Sequence, residues 1–140
     1  MIAAFDHVHL FCGDVEETAK FFETFLEARI TVRGEMLGRP MIRMDLQGIM
    51  IILATATGTD RFAPGEGKRG LDHIGVRVQD LKKAMEEMKR KGGKFSKDYT
   101  VTGPPTWPAG TKYAFLDGPD GIHVEIVERP EKAISSGQKN

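Results

Sequence analysis

Four histidines and one carboxylate are the residues in this sequence best suited to chemistry. His7 and His9 lie in Phe5-Asp6-His7-Val8-His9-Leu10, His73 in Leu71-Asp72-His73-Ile74-Gly75-Val76, and His123 two residues before Glu125 in Gly121-Ile122-His123-Val124-Glu125-Ile126. Two neutral imidazoles and a carboxylate make a sensible first-row metal set, and such a set leaves coordination positions open for substrate or water. The spacing adds to the residue types. Asp-His opens the same short pattern twice, with His7 and His73 separated by 66 residues (73 − 7) and Asp14 and Asp80 by the same interval (80 − 14). Taken singly, each Asp-His reads as a satisfied polar pair at a strand start. Taken as a pair, in register with Glu125, His7, His73 and Glu125 read as ligands of one divalent ion.

A repeat of this size makes the chain two copies of one supersecondary motif. Residues 4–11 read as a strand, and Asp14 is a good N-cap with Glu17 at capping-box spacing. Val15, Ala19, Phe22 and Leu26 recur at helical spacing and predict a helix near 15–28, followed by short strands near 29–34, 40–47 and 48–55. The second copy reads as a strand over 71–78, Asp80 as N-cap and a helix near 81–91 ended by Gly92-Gly93. Leu81, Ala84, Met85 and Met88 form the buried face of that helix. Strands follow near 94–101, 111–117 and 121–128. The expected fold is α+β, two βαβββ modules with one helix covering one sheet face in each. A single domain over 1–140 is expected, with module one about 4–55, a linker 56–70, module two about 71–128 and a polar tail 129–140.

Strand alternation sorts these residues by face. Val8 and Leu10 oppose His7 and His9; Ile74, Val76 and Val78 oppose His73, Gly75 and Arg77; Ile122, Val124 and Ile126 oppose His123, Glu125 and Val127. The aliphatic face belongs under a helix, so the other face carries all 4 histidines and Glu125.

Composition narrows the partners. With 140 residues and 40% hydrophobic content the chain has enough apolar surface for a core. Lys+Arg and Asp+Glu both number 20, so no net field favours nucleic acid or a membrane surface. No apolar run approaches the ~18 residues of a spanning helix, and no basic-then-apolar leader opens the sequence. The one cysteine, Cys12, cannot form an internal disulfide and reads as a small hydrophobe; this fits a cytoplasmic protein.

The twin Asp-His strands, their Asp-capped helices, and Phe115-Leu116-Asp117-Gly118-Pro119-Asp120-Gly121-Ile122-His123-Val124-Glu125 together resemble the vicinal oxygen chelate superfamily. That superfamily includes glyoxalases, epimerases, fosfomycin-resistance thiol transferases, extradiol dioxygenases and metal-free bleomycin-binding proteins. The resemblance covers about residues 4–128 and is specific for the fold rather than the reaction. It implies paired modules whose sheets curl into a cup with the metal at its floor, commonly in homodimers whose modules complete each other's cups. By the motif, His7, His73 and Glu125 match three family ligands. The fourth departs from the pattern: Gly48-Ile49-Met50-Ile51-Ile52-Leu53 lines up with the Glu125 segment at an offset of 73 (125 − 52), placing Ile52 where relatives carry Glu, Gln or His. Three protein ligands, replacement by His9 or His123, or absence of the metal are the resulting options.

The resemblance implies a lyase or isomerase acting on a small carbonyl-containing substrate. A divalent ion (Zn, Ni, Co, Mn or Fe(II)) chelates two neighbouring oxygens and stabilises an enediolate. Candidate proton carriers are His9, His123, Glu125 and Glu35, the last in the Arg33–Gly38 loop. Arg43 and Arg77 are candidate clamps for an anionic group; both also read as surface arginines. Trp107 and Ile52 supply apolar contacts. Dioxygenase or thiol-transferase chemistry on the same cup is the rival reading within the enzyme class. A metal-free cup holding a small hydrophobic ligand, with Met50, Ile52, Ala54 and Trp107 as its apolar side, is the rival outside it.

Overall fold

The computed structural model describes residues 4, 6–36, 38–56, 73–97 and 109–130. The linker beyond Ala56, the end of the strand expected near 94–101, most of the tail, Asp72 and Trp107 lie outside these residues. The chain divides into two compact units, 1–62 with 118–121 and 63–117 with 122–140.

The first unit runs β1 (His7–Cys12), α1 (Val15–Leu26), β2 (Arg29–Met36), β3 (Arg39–Leu46) and β4 (Ile49–Thr55). The Asp14 carboxylate starts α1 by accepting from the N–H groups of Glu16 and Glu17, at 2.9 and 3.1 Å. The helix ends two residues earlier than its periodicity predicts, because Glu27 turns left-handed (φ 57) and its N–H closes on Phe22 O. Val15, Thr18, Ala19, Phe21, Phe22 and Leu26 are buried, and α1 packs across β2, β3 and β4. Phe22 is wholly buried; a side chain of its size contributes about 1.5–3 kcal/mol by leaving water. The sheet order is β1-β4-β3-β2, with β1 parallel to β4. A tight turn at Gln47 (φ 53) and Gly48 (φ 85) separates β3 from β4, the two-positive-φ geometry that suits a two-residue hairpin.

The second unit repeats this plan with β5 (Ile74–Val78), α2 (Leu81–Arg90), β6 (Lys94–Lys97), β7 (Lys112–Asp117) and β8 (His123–Glu128) in the order β5-β8-β7-β6. Asp80 caps α2 through the Lys83 N–H at 3.0 Å, and Glu128 accepts from the Leu81 N–H at 2.8 Å. Gly92 (φ 88) terminates the helix, where the Gly92 and Gly93 N–H groups bond back to Lys89 and Met88 carbonyls. Leu81 and Met88 meet a core of Ala114, Leu116, Val124 and Ile126. The last strand begins at His123 rather than 121, because Pro119–Gly121 forms a 3-10 turn with Asp120 (φ 55) and Gly121 (φ 74) left-handed. That turn belongs to the first unit, where the Gly13 N–H donates to Asp120 Oδ2 at 2.8 Å. The architecture is therefore α+β: two four-stranded mixed sheets, each with one helix. No helix among the described residues is long and apolar enough to cross a membrane.

Candidate functional site

In the second unit β8 lies between β5 and β7, so its non-helix face is flanked on both sides. Val124 and Ile126 turn into the core while Glu125 faces the other way, yet Glu125 is only 7% exposed. Its cross-strand neighbours are Gly75 on β5 and Phe115 on β7. Gly75 makes room for the carboxylate: a Cβ there would meet Glu125 Oε2 at 3.4 Å. His73, immediately before β5, brings Nε2 to 3.6 Å from Glu125 Oε2. The Phe115 ring packs edge-on against His73 (5.2 Å, 79°) and tilted against His123 (5.8 Å, 36°). One aromatic ring thus buttresses both imidazoles. His123 Nε2 lies 3.3 Å from Asp117 Oδ1, an oxygen that is buried without a hydrogen-bond partner.

The His73–Glu125 pair fits two positions around a small divalent ion. Nitrogen and oxygen donors at ~2.0–2.2 Å from a shared ion lie roughly 3–3.6 Å from each other, and the observed separation is 3.6 Å. No three His, Cys, Asp or Glu side chains among the described residues form a ready-made cage. The pair needs a further donor for a full set.

The first unit presents the corresponding face of its own sheet. His7, His9 and Phe11 alternate with Val8, Leu10 and Cys12 along β1. The register sets His7 opposite Met50, His9 opposite Ile52 and Phe11 opposite Ala54, and sets Arg43 on the far side of Ile52. The row His9–Ile52–Arg43 therefore occupies the register places that Gly75–Glu125–Phe115 hold in the second sheet. Ile52 is 8% exposed and packs with Met41 and Ala54, with Met36 and Met50 against them. The His7 ring Nδ1 lies 2.7 Å from Asp6 Oδ2, and the His9 ring stacks on Phe11 at 4.8 Å. Arg43 is exposed on this apolar face. Arg77 is exposed on the Glu125 face of β5, across from Val127.

Glu35 requires a correction. It lies within β2 rather than in a loop, paired with Pro40, because the β2–β3 hairpin turns tightly at Gly38 (φ 73). Pro40 shares its face with Ile42, so Glu35 points away from the Ile52–Arg43 face. Trp107 lies outside the described residues.

Four contributors escape a reading by residue type alone: Asp6, Gly75, Phe115 and Asp117. The register of the repeat is the signal that locates Gly75 and Phe115, since both flank Glu125 once the strands are paired. Asp6 and Asp117 become visible only through side-chain contacts.

Sequence comparison agrees with the architecture. The chain belongs to the Glyoxalase/Bleomycin resistance protein/Dioxygenase superfamily, which it matches over residues 4–126. It is 29% identical over 129 residues to a probable chloroplastic lactoylglutathione lyase of Arabidopsis thaliana, a match covering 88% of this chain and 35% of that protein. The chain thus spans about a third of the length of that relative. It is 25% identical over 143 residues to the lactoylglutathione lyase of Haemophilus influenzae, covering 96% and 97% of the two chains. A solved variant of the fosfomycin resistance protein FosX from Listeria monocytogenes, complexed with Mn(II) and 1S,2S-dihydroxypropylphosphonic acid, superposes with a TM-score of 0.70. At 15% identity over 96% of this chain and 99% of that one, the likeness is one of fold.

Proposed function

We propose that this chain is a metal-dependent enzyme of glyoxalase type, a lyase or isomerase acting on a small carbonyl-containing substrate. The observation that carries the reading is the buried Glu125 carboxylate with His73 Nε2 3.6 Å away, on the sheet face opposite Val124 and Ile126. The donor types and their separation suit a divalent ion held between them. His73 and Glu125 would hold it together with His7. When bound, the ion supplies Lewis-acid stabilisation of negative charge developing on two adjacent substrate oxygens.

The chain's own residues do the rest. Phe115 packs against both imidazoles and steadies them. His123, beside Asp117, is the candidate to receive a carbon-bound proton and return it one atom along; His9 and Glu125 are the other candidates. Arg43 would clamp an anionic substituent against the apolar row of Met41, Met50, Ile52 and Ala54, and Arg77 would do so on the second sheet. The lactoylglutathione lyase names of the relatives favour the lyase arm. The breadth of the superfamily, whose description includes dioxygenases, keeps dioxygenase or thiol-transferase chemistry on the same cup as the alternative. The two units are taken as halves of one domain, and a homodimer with shared cups as the working assembly.

Elemental analysis of protein purified without chelator tests the reading. About one equivalent of divalent metal per chain is expected, with His73→Ala and Glu125→Ala each losing it while circular dichroism is unchanged. Less than about a tenth of an equivalent, with no binding of Mn, Fe, Co, Ni or Zn on reconstitution, would sink it. A second reading, a metal-free binder of a small apolar molecule, draws on the methionine-lined cluster around Ile52 and on Phe11, which is 62% exposed. Metal-loaded protein screened against methylglyoxal–thiol adducts, acyl-CoA epimers and catechols would name the reaction.

A further inference from the structure

The residue before His7 has a place in the chemistry. Asp6 Oδ2 sits 2.7 Å from His7 Nδ1, with the Asp6 and His7 side chains 78% and 42% exposed. An ionised carboxylate only accepts hydrogen bonds. The contact therefore requires the His7 proton on Nδ1, and a neutral ring then carries its lone pair on Nε2, the atom facing away from Asp6. A histidine without such a partner divides itself between the two tautomers, and a metal would draw only on the fraction with the matching nitrogen bare. A carboxylate on the opposite ring nitrogen removes that division, orients the ring and raises the basicity of the ligating atom. The bond is also local: donor and acceptor are adjacent in sequence, so the strand start alone is enough to form it. The same dipeptide precedes the second module, where Asp72 lies outside the described residues.

We propose that Asp6 is a positioning residue that holds His7 in the Nδ1–H tautomer and so presents Nε2 to a divalent cation. The proposal rests on the metal-dependent reading of His7 given above. A simple surface ion pair is the competing account. An ion pair needs a charged imidazole and is worth at most about 1 kcal/mol. The tautomer bias persists where the ring is neutral.

The test uses metal-free, full-length, 15N-labelled protein at about pH 8, above the ordinary imidazole range. Long-range 1H–15N spectra report which ring nitrogen is protonated, and His7→Ala assigns the His7 signals. Wild type is expected to show protonated Nδ1 and bare Nε2. Asp6→Asn, whose amide oxygen still accepts, is expected to keep that pattern, and Asp6→Ala to show averaged nitrogens. Titration with Zn(II) alone is the second arm. Asp6→Ala is expected to weaken binding about 10–100-fold, Asp6→Asn by less than about tenfold, and His7→Ala to cost more than either. An unchanged tautomer in Asp6→Ala overturns the proposal. So does an averaged tautomer with wild-type affinity in Asp6→Ala while His7→Ala loses the ion; the metal reading then survives. Wild-type affinity in His7→Ala removes His7 from the ligand set and takes the proposal with it.

Discussion

Ile52 and Glu125 occupy the same register place in two copies of one motif and face opposite physical demands. The isoleucine is satisfied by Met41 and Ala54; the carboxylate is held in a small space opened by Gly75 and walled by Phe115. Substituting Ile52→Glu is expected to destabilise the metal-free protein by about 3 kcal/mol or more, since it buries a charge among apolar side chains. Added Zn(II) or Mn(II) should then raise its melting temperature further than it raises that of wild type. If calorimetry shows equal metal-induced shifts, Ile52 does not stand at a ligand position. Gly75 gives the converse test. A methyl at this position just reaches Glu125 Oε2, at 3.4 Å, so Gly75→Ala is expected to be nearly silent. Gly75→Val pushes a branched carbon into the carboxylate and is expected to weaken metal affinity at least about tenfold with the fold retained. Isothermal titration of the two variants decides it.

At the scale of elements, the helices are legible in the sequence because their signals are local. Asp14 and Asp80 cap as their spacing predicts, and the stripe of Val15, Ala19, Phe22 and Leu26 is buried. Of Leu81, Ala84, Met85 and Met88, expected as the buried face of α2, Leu81 and Met88 are buried while Ala84 and Met85 are half-buried. Strand faces are equally legible, since alternation alone places Val124 and Ile126 inward and Glu125 outward. Places where a turn conformation decides are not. The tight β2–β3 hairpin carries Glu35 into a strand and onto the wrong face for the role expected of it. Gly121, read as strand, sits in a 3-10 turn. Glu128 is a further case, because its partner is 47 residues away: it accepts from Leu81 N–H, which no residue of α2 can satisfy, and from Lys112 Nζ at 3.0 Å. These two bonds, the Leu81 one first, hold its carboxyl below the usual carboxylate range. A carboxyl lowered on folding stabilises above its unfolded pKa, and that contribution disappears as pH falls through the folded value. Glu128→Gln is therefore expected to lower the urea midpoint at pH 7, by an amount worth about 1 kcal/mol. The gap should narrow once the medium is more acidic than the ordinary glutamate value of 4.5. A gap equally wide at pH 3 would deny the carboxylate its role.

At the scale of the whole molecule, the two copies of the motif present unequal faces: one sheet carries a carboxylate and a histidine side by side, the other an apolar row with one arginine, bordered by His7 and His9 on β1. If cups are shared in a homodimer, as proposed above, mixing tests this division. His7→Ala and Glu125→Ala proteins are each expected to bind no metal. If each cup joins His7 of one protomer to Glu125 of its partner, a heterodimer of the two variants regains one intact cup, and a statistical mixture about a quarter of wild-type metal. No recovery after co-expression would place all ligands of a cup in one chain.

The bond from Gly13 N–H to Asp120 Oδ2 spans 107 residues and closes the first compact unit with a turn from the far end of the sequence. Cut away as residues 1–62, the present first half would lose that partner, and the exposed Gly13 amide would turn to water. The copies still share a plan, but the compact unit built on the first takes in a turn from the second.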